Sequence, residues 1–452
     1  MAWHGMLSCR IYLPGRVRHC VLESVKTNNP ISRPLLAFFI ASTLSRLGNN
    51  LAALAIPWFV LTTTSSATNT ALSVAVGTVP VILTGIFGGT IVDRVGYRQS
   101  SIVSDIASGI STLLIPTLHF TVGIEFWQLL VLVFAGALLD SPGVSARRSL
   151  FPDLVAQTGI TLDRANALDA MTGRIASLIG APLAAILIAI IGAPSLLLLT
   201  TAGFAISALL FGVFIPAPLE SSADRSAKGI RGYLAEIREG FVFMTGDRVL
   251  FWVFLSFSVG SLIAEPLYAV ILQVYVNEKY GSAENLGFIL AGLAVGSLVG
   301  NAIYAALSGR LPRRDIIVGG FGIRALAFTV FVFVPSWWII AAAIFIGAVA
   351  LEPVNPLYHT IMQERIPAGM RGRIYGFSNA IQMTMFPIGI VIYGFLLDNQ
   401  DLSTTLVIFV IANLLVPLSM ILNPYLRQLE PASSPAHAAF SSASSPGFRR
   451  KP

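Results

Sequence analysis

Apolar runs of about 20 residues recur along this chain, separated by short polar, basic or glycine-bearing turns. Each run is long enough for a helix that crosses a hydrocarbon layer about 30 Å thick. The runs predict spans at 35–61, 70–92, 100–120, 126–146, 172–192 and 195–216. After a polar stretch they resume at 247–276, 284–307, 315–334, 336–357, 373–397 and 403–426. The expected fold is therefore an all-α polytopic membrane protein with twelve transmembrane helices in two pseudo-symmetric six-helix bundles. A spanning barrel would need short alternating strands, and continuous runs such as Leu129 to Leu139 do not alternate. The expected organisation is a cytoplasmic tail over 1–33, a bundle over 34–216, a central cytoplasmic loop over 217–246, a second bundle over 247–427 and a disordered cytoplasmic tail over 428–452. The last segment is rich in Pro, Ala and Ser, a composition that builds no core. Between spans 4 and 5, Arg148 to Arg174 reads as an amphipathic helix lying in the headgroup plane.

Composition agrees with the pattern. The chain has 452 residues, 55% of them hydrophobic and only 11% charged, where soluble domains carry about 25% charged residues. The net charge of +7 is spread through short loops rather than gathered on one face, which argues against nucleic acid and for anionic lipid and topology. With twelve spans, all of the 29 Lys and Arg residues except Arg46 and Lys279 fall on one side of the membrane. Basic loops stay inside, so both termini are expected in the cytoplasm. Cys9 and Cys20 have neither zinc-motif nor redox-pair spacing and read as incidental thiols. The five histidines are scattered and no Walker motif is present, so no metal, cofactor, enzymatic chemistry or direct ATP drive is expected.

One junction stands out. Gly88-Gly-Thr-Ile-Val-Asp93-Arg94-Val-Gly96-Tyr-Arg98 lies between spans 2 and 3, and a degenerate copy, Gly309-Arg310-Leu-Pro312-Arg313-Arg314-Asp315, lies between spans 8 and 9. Gly136-Ala137, Pro142 and Asp153 match Gly347-Ala348, Pro353 and Glu364 at one common offset. The two sets suggest a duplicated bundle.

Twelve spans with the turn Gly89, Asp93, Arg94, Gly96, Arg98 between the second and third resemble the major facilitator superfamily. Arg148-Ser-Leu-Phe-Pro152-Asp-Leu-Val, Leu162-Asp-Arg-Ala-Asn-Ala and Gln363-Glu-Arg-Ile-Pro367-Ala-Gly-Met-Arg371-Gly372-Arg373 look like the drug:proton antiporter branch that holds macrolide exporters. Ser101-Ile-Val-Ser-Asp105-Ile-Ala-Ser-Gly109, Leu311-Pro-Arg-Arg314 and Pro356-Leu-Tyr358 are similar to Tap-type multidrug efflux pumps. The likeness runs from about residue 36 to 426. It implies alternating access and export of amphipathic drugs, such as tetracyclines, aminoglycosides or macrolides, against inward proton flow. Its partners would be small-molecule substrate, protons and membrane lipids, with the protein a monomer. A siderophore, metabolite or lipid transporter of the same fold is the alternative. A non-transporting scaffold or sensor would need a signalling domain that neither tail offers.

The resemblance assigns Gly89, Asp93, Arg94, Gly96 and Arg98 to a cytoplasmic latch, with Arg94 and Arg98 pairing with carboxylates or lipid phosphates. By the same analogy Asp105 in span 3 pairs with Arg147 at the end of span 4. Acids inside apolar runs are costly and face a cavity or a partner, which singles out Asp140, Glu265 and Glu352. Glu265, beside Pro266 and Tyr268, is the first candidate for proton coupling or substrate binding. Asp140 and Glu352 each precede a proline and are candidates for a gate. Arg46 belongs to a polar stretch of span 1 with Asn49 and Asn50, and is a candidate to pair with Asp140 or an anionic substrate. The family often carries Asp where Asn49 stands, and an amide takes up no proton. Trp58, Phe59, Trp252, Phe254, Phe257, Tyr268 and Phe386 are candidate cavity aromatics, and Trp127, Trp337 and Trp338 candidate interface residues.

Overall fold

Helices make up every regular element of the computed structural model, which describes residues 32–216, 238, 240–307, 311–333, 336–367 and 370–429. The first group is α1 Arg33–Thr64, α2 Ala67–Val95, α3 Tyr97–Thr121, α4 Phe126–Ala156, α5 Leu162–Ile191 and α6 Ala193–Phe214. The second opens with α7 Arg248–Pro266, a π-turn at Leu267–Ile271 and α8 Leu272–Tyr280. It continues through α9 Ala283–Leu307, α10 Arg313–Phe328, α11 Val330–Phe333, α12 Trp337–Leu351, α13 Val354–Arg365, α14 Arg371–Asn399 and α15 Leu402–Leu422. Among the described residues, 10 helical rods are long and apolar enough to cross a membrane, with α7–α8, α10–α11 and α12–α13 each counting as one rod.

Local chemistry fixes the ends of these rods. Ser66, Thr161, Asp247 and Asp401 cap the helices that follow them, each side chain accepting from a main-chain amide of the first turn. The Thr404 hydroxyl and amide hold the Asp401 carboxyl below the usual carboxylate range. Gly96 ends α2 and starts α3 at φ +91°, a conformation that side chains rarely adopt, although open space surrounds its Cα.

Within the first group, α3 packs on α4 and α6, and α1 on α5 and α6. In the second, α9 and α10 pack on α12, while α14 and α15 pack on α7. Small residues let backbones approach, as apolar helices in lipid require. A Cβ on Gly296 would sit 2.6 Å from the Phe345 carbonyl oxygen, and one on Gly320 would sit 2.7 Å from that of Ala350. Gly320 is thus a packing residue. The groups meet where α2 lies on α14 and α5 on α9. The outer surface is apolar, with Leu209, Val213, Phe395 and Leu415 all more than half exposed, as expected of a lipid-facing perimeter. Trp127 and Trp338 are also exposed, whereas Trp337 stacks on Phe288.

Three expectations change. The segment Arg148 to Arg174 is no interfacial helix: α4 runs on to Ala156, and α5 starts at Leu162. Leu150, Phe151, Leu154 and Val155 are buried, Phe151 against Phe38 and Phe39 of α1, because the apolar stripe finds a protein partner before lipid. The end of the expected central loop, 240–246, is helical, and Met244 is buried in the second group's core. Arg324, counted among edge arginines, sits eleven residues into α10, about 16 Å from its start, and is buried. Residues 1–31 with Cys9 and Cys20, residues 430–452, the loop residues 217–237 and the glycine and arginine at 309 and 310 lie outside the described residues.

Candidate functional site

A pocket of about 490 Å³ lies between the two groups, a volume suited to a drug-sized molecule. Helices α1 to α4, α6 and α14, and the α7–α8 rod contribute its wall. Most of that wall is apolar, for example Ile56, Val74, Leu132 and Phe386, with small polar points at Ser73, Thr78, Ser108, Ser111 and Gln273. Asp140 and Glu265 are its acids, and among the described residues no Lys, Arg or His lines it.

Asp140 is held by two helices. Its carboxylate accepts from Asn49 Nδ2 of α1 at 3.1 Å and from Ser108 Oγ of α3 at 3.3 Å. Its carbonyl accepts from Ser104 Oγ at 2.8 Å. Gly143 makes that reach feasible, since a Cβ there would overlap Ser104. Asp140 does not pair with Arg46, and the amide at position 49 is its partner instead. Glu265 comes from the second group, one residue before Pro266. Proline donates no amide hydrogen, and the helix widens into the π-turn Leu267–Ile271 directly after it. The turn places Tyr268 and Ala269 on the pocket wall beside Glu265. Behind the wall, Arg324 lies between Phe321 and Phe328, its guanidinium 5.1 and 5.9 Å from their ring centroids.

A second, more polar cavity of about 1140 Å³ adjoins the pocket and shares Asn49 with it. Arg46, Arg148, Asp169 and Arg174 stand on its first-group wall, and Asn301, Glu352 and His359 on the other. Arg46 Nη2 donates to both Asp169 carboxylate oxygens at 2.9 Å, and Nη1 to the Asp169 carbonyl at 3.1 Å. Gly173 leaves room for that guanidinium, as a Cβ there would lie 3.2 Å from Nη1. Glu352 accepts from Asn301 Nδ2 at 3.2 Å. Glu352 therefore belongs to this vestibule and not to the central pocket.

The expected pair of Asp105 with Arg147 is present at 2.5 Å and buried. Asp105 also accepts from Ser45 Oγ at 2.9 Å and Ser207 Oγ at 2.6 Å, so one carboxylate ties α1, α3, α4 and α6 together. Arg147 lies over the Phe211 ring at 5.0 Å. The Arg98 guanidinium donates to the Gly212 carbonyl near the end of α6. That oxygen is among the unpaired carbonyls of a helix terminus, which a nearby cation satisfies. Gly89, Asp93 and Arg94 fall within α2, but their side chains lie outside the described residues.

An unexpected contact closes the end opposite the vestibule. Asp398, near the end of α14, accepts from the Ala67 amide at 2.7 Å, the Thr68 amide at 2.9 Å and the Ser66 hydroxyl at 2.7 Å. A carboxylate from one group thus sits on the helix N-terminus of the other. Gly394 allows the approach, since a Cβ there would meet the Ala67 carbonyl at 2.9 Å. At the same end Gly287 of α9 lies against Pro182 and Ala185 of α5.

Of the candidate aromatics, Tyr268 and Phe386 line the pocket. Trp58 and Phe59 are buried in the core, and Trp252, Phe254 and Phe257 pack in the second group, Phe257 stacked on Tyr358 at 4.3 Å. Sequence reasoning passed over Asp169, Arg324 and Asp398. Arg324 carried a usable signal, a charge inside an apolar run, whereas Asp169 and Asp398 looked like ordinary boundary acids.

The sequence profile described as transmembrane secretion effector, of the major facilitator class, matches residues 27–444. The multidrug efflux pump Tap of Mycolicibacterium fortuitum is 29% identical over 407 residues, 89% of this chain and 98% of that one. The pump of the same name from Mycobacterium tuberculosis strain H37Rv is 26% identical over 401 residues, 88% of this chain and 95% of that one. Among solved structures, the nucleoside transporter NupG superposes with a TM-score of 0.69 at 10% identity, over 86% of this chain and 98% of that one. That likeness is one of fold.

Proposed function

From the premise that this chain belongs to the transmembrane secretion effector family of the major facilitator superfamily, we propose that it exports amphipathic, preferentially cationic small molecules by proton antiport. The observation that carries the reading is the central pocket: drug-sized, largely apolar, holding Asp140 and Glu265 and, among the described residues, lined by no basic one. An apolar wall takes the body of the molecule, and two carboxylates favour a positive charge. The same acids offer protonation sites, so a proton and a cation compete for them, which is the elementary requirement of antiport. Asn49 carries no proton, so that role passes to Glu265 and Asp140. Drugs of the tetracycline and macrolide kinds carry an amine on a largely apolar body and fit this description, whereas aminoglycosides supply the amines without the apolar body.

The transport cycle in this reading is alternating access by two six-helix bundles, 34–216 and 247–427. The 10 apolar rods, together with α1 and α2 at 32 and 29 residues, make twelve spans. Both termini, the connection between the two bundles and the vestibule face the cytoplasm of a bacterial inner membrane, with the Asp398 contact on the outside. The turn at Asp93, Arg94 and Arg98 then serves as the latch for the opposite conformation, and the protein works as a monomer. Expression in a pump-deficient host lowers accumulation of tetracycline or a macrolide, a protonophore abolishes the effect, and Glu265→Gln loses it while still reaching the membrane. Unchanged accumulation across a broad drug panel contradicts the exporter reading.

A further inference from the structure

The two cavities differ in charge. The central pocket is lined by acids without a basic residue, whereas the vestibule carries Arg46, Arg148 and Arg174 against Asp169 and Glu352. A cation travelling from the vestibule to the pocket crosses their shared wall at Asn49. Arg46 lies three residues before Asn49 on α1, about 4.5 Å lower and on nearly the same face. It is therefore a fixed cation at the threshold. Its charge is cancelled there by Asp169, which takes the guanidinium in a two-pronged contact at 2.9 Å. Arg46 and Asp169 remain partly exposed to the cavity, with side-chain exposures of 37% and 27%, so passing solutes feel the sum of the two charges. Thr172 and Gly173 complete the seat, one by a hydrogen bond at 3.4 Å and the other by leaving space.

We propose that Asp169 sets the charge selectivity of the passage from vestibule to pocket, by neutralising the Arg46 guanidinium beside Asn49. The inference rests on the exporter reading above. Charged rings at a constriction select ions by this physics. One uncancelled unit charge about 10 Å away, at an effective dielectric constant of about 20, changes affinity for a monovalent cation by about tenfold. Arg148 and Arg174 are a constant background in every variant of this pair.

The test uses the full chain in inside-out vesicles, at matched protein level, with ethidium as a permanent cation and chloramphenicol as a neutral solute. Asp169→Asn raises the ratio of the ethidium KM to the chloramphenicol KM by about tenfold. Arg46→Gln lowers the ratio, and the double variant returns it to the wild-type value. A purely structural pair predicts otherwise: both single variants lose both solutes in parallel, and the ratio stays constant. A constant ratio, or a double variant as skewed as Asp169→Asn, overturns the inference and leaves the exporter reading standing. Wild-type protein that moves chloramphenicol but not ethidium contradicts the inference. If it moves ethidium alone, the ethidium KM of the single and double variants decides by the same order. Movement of neither solute removes the exporter reading, and the inference with it.

Discussion

Removing the Asp398 carboxylate should open the end of the molecule that it closes. In the present conformation it receives two main-chain amides and one hydroxyl from the start of α2, at 2.7 to 2.9 Å. A protected charge-assisted hydrogen bond contributes about 1.5–3 kcal/mol. This site is open to water, and exposed charge contacts contribute about 0–1 kcal/mol each. The set together therefore stabilises closure by about 1–2 kcal/mol, a shift of about 5–30-fold in the open-to-closed ratio. Ala71 is a suitable reporter, being fully buried against Gly394 directly beneath the contact. With Cys9 and Cys20 replaced by Ser, a cysteine substituted for Ala71 should react with a polar maleimide about 5–30 times faster in Asp398→Ala than in the parent. Asp398→Asn, which keeps one acceptor oxygen, should fall between. A rate within about twofold of the parent would refute the reasoning, because even the low end of the estimate exceeds it.

Other expectations follow from the same geometry. Asp105→Asn leaves Arg147 buried without its carboxylate and should cost about 3–5 kcal/mol, read as a lower Tm in detergent; the double change with Arg147→Met should recover much of the loss. The folded-state pKa of Asp401 is depressed by Thr404, so its contribution to the start of α15 is complete above the unfolded value of about 3.9 and fades as pH falls through the lower folded value. Protection of the Thr404 amide in hydrogen exchange should decline across that window, and should not change between pH 6 and pH 8, where the group is ionised in both states. Cysteines placed after residue 62 and after residue 398 should label from outside in intact cells, with one in the central loop labelling from inside. The reverse pattern would invert the proposed topology.

The fold was legible because burial in lipid demands long apolar runs, and those runs survive in the sequence as lengths. Helix ends were less legible, and α4 shows why. Its continuation to Ala156 is polar enough to read as an interfacial segment, yet Phe151 finds Phe38 and Phe39, which a one-dimensional pattern cannot foresee. The acids Asp140 and Glu265 were legible by their cost in an apolar run, and Asp105 with Arg147 through resemblance. Arg46 was noticed for the same reason as the acids, but its partner was misassigned. Asp140 lies near in sequence logic, whereas Asp169 lies near in space, seated by Gly173. Arg324 shows the converse error: a basic residue counted toward topology that instead sits among Phe321, Phe328 and Gly347. Asp398 was missed because a carboxylate on a distant helix N-terminus leaves no local signature.

The most direct measurement of the central claim is coupled flux with the purified chain in liposomes. With an imposed proton gradient, ethidium should move against its own gradient while protons move the other way. Glu265→Gln should bind ethidium more weakly and move fewer protons per ethidium, Asp140 being the remaining protonation site. Ethidium transport at the same rate with and without the proton gradient, or none in either condition, would contradict the account.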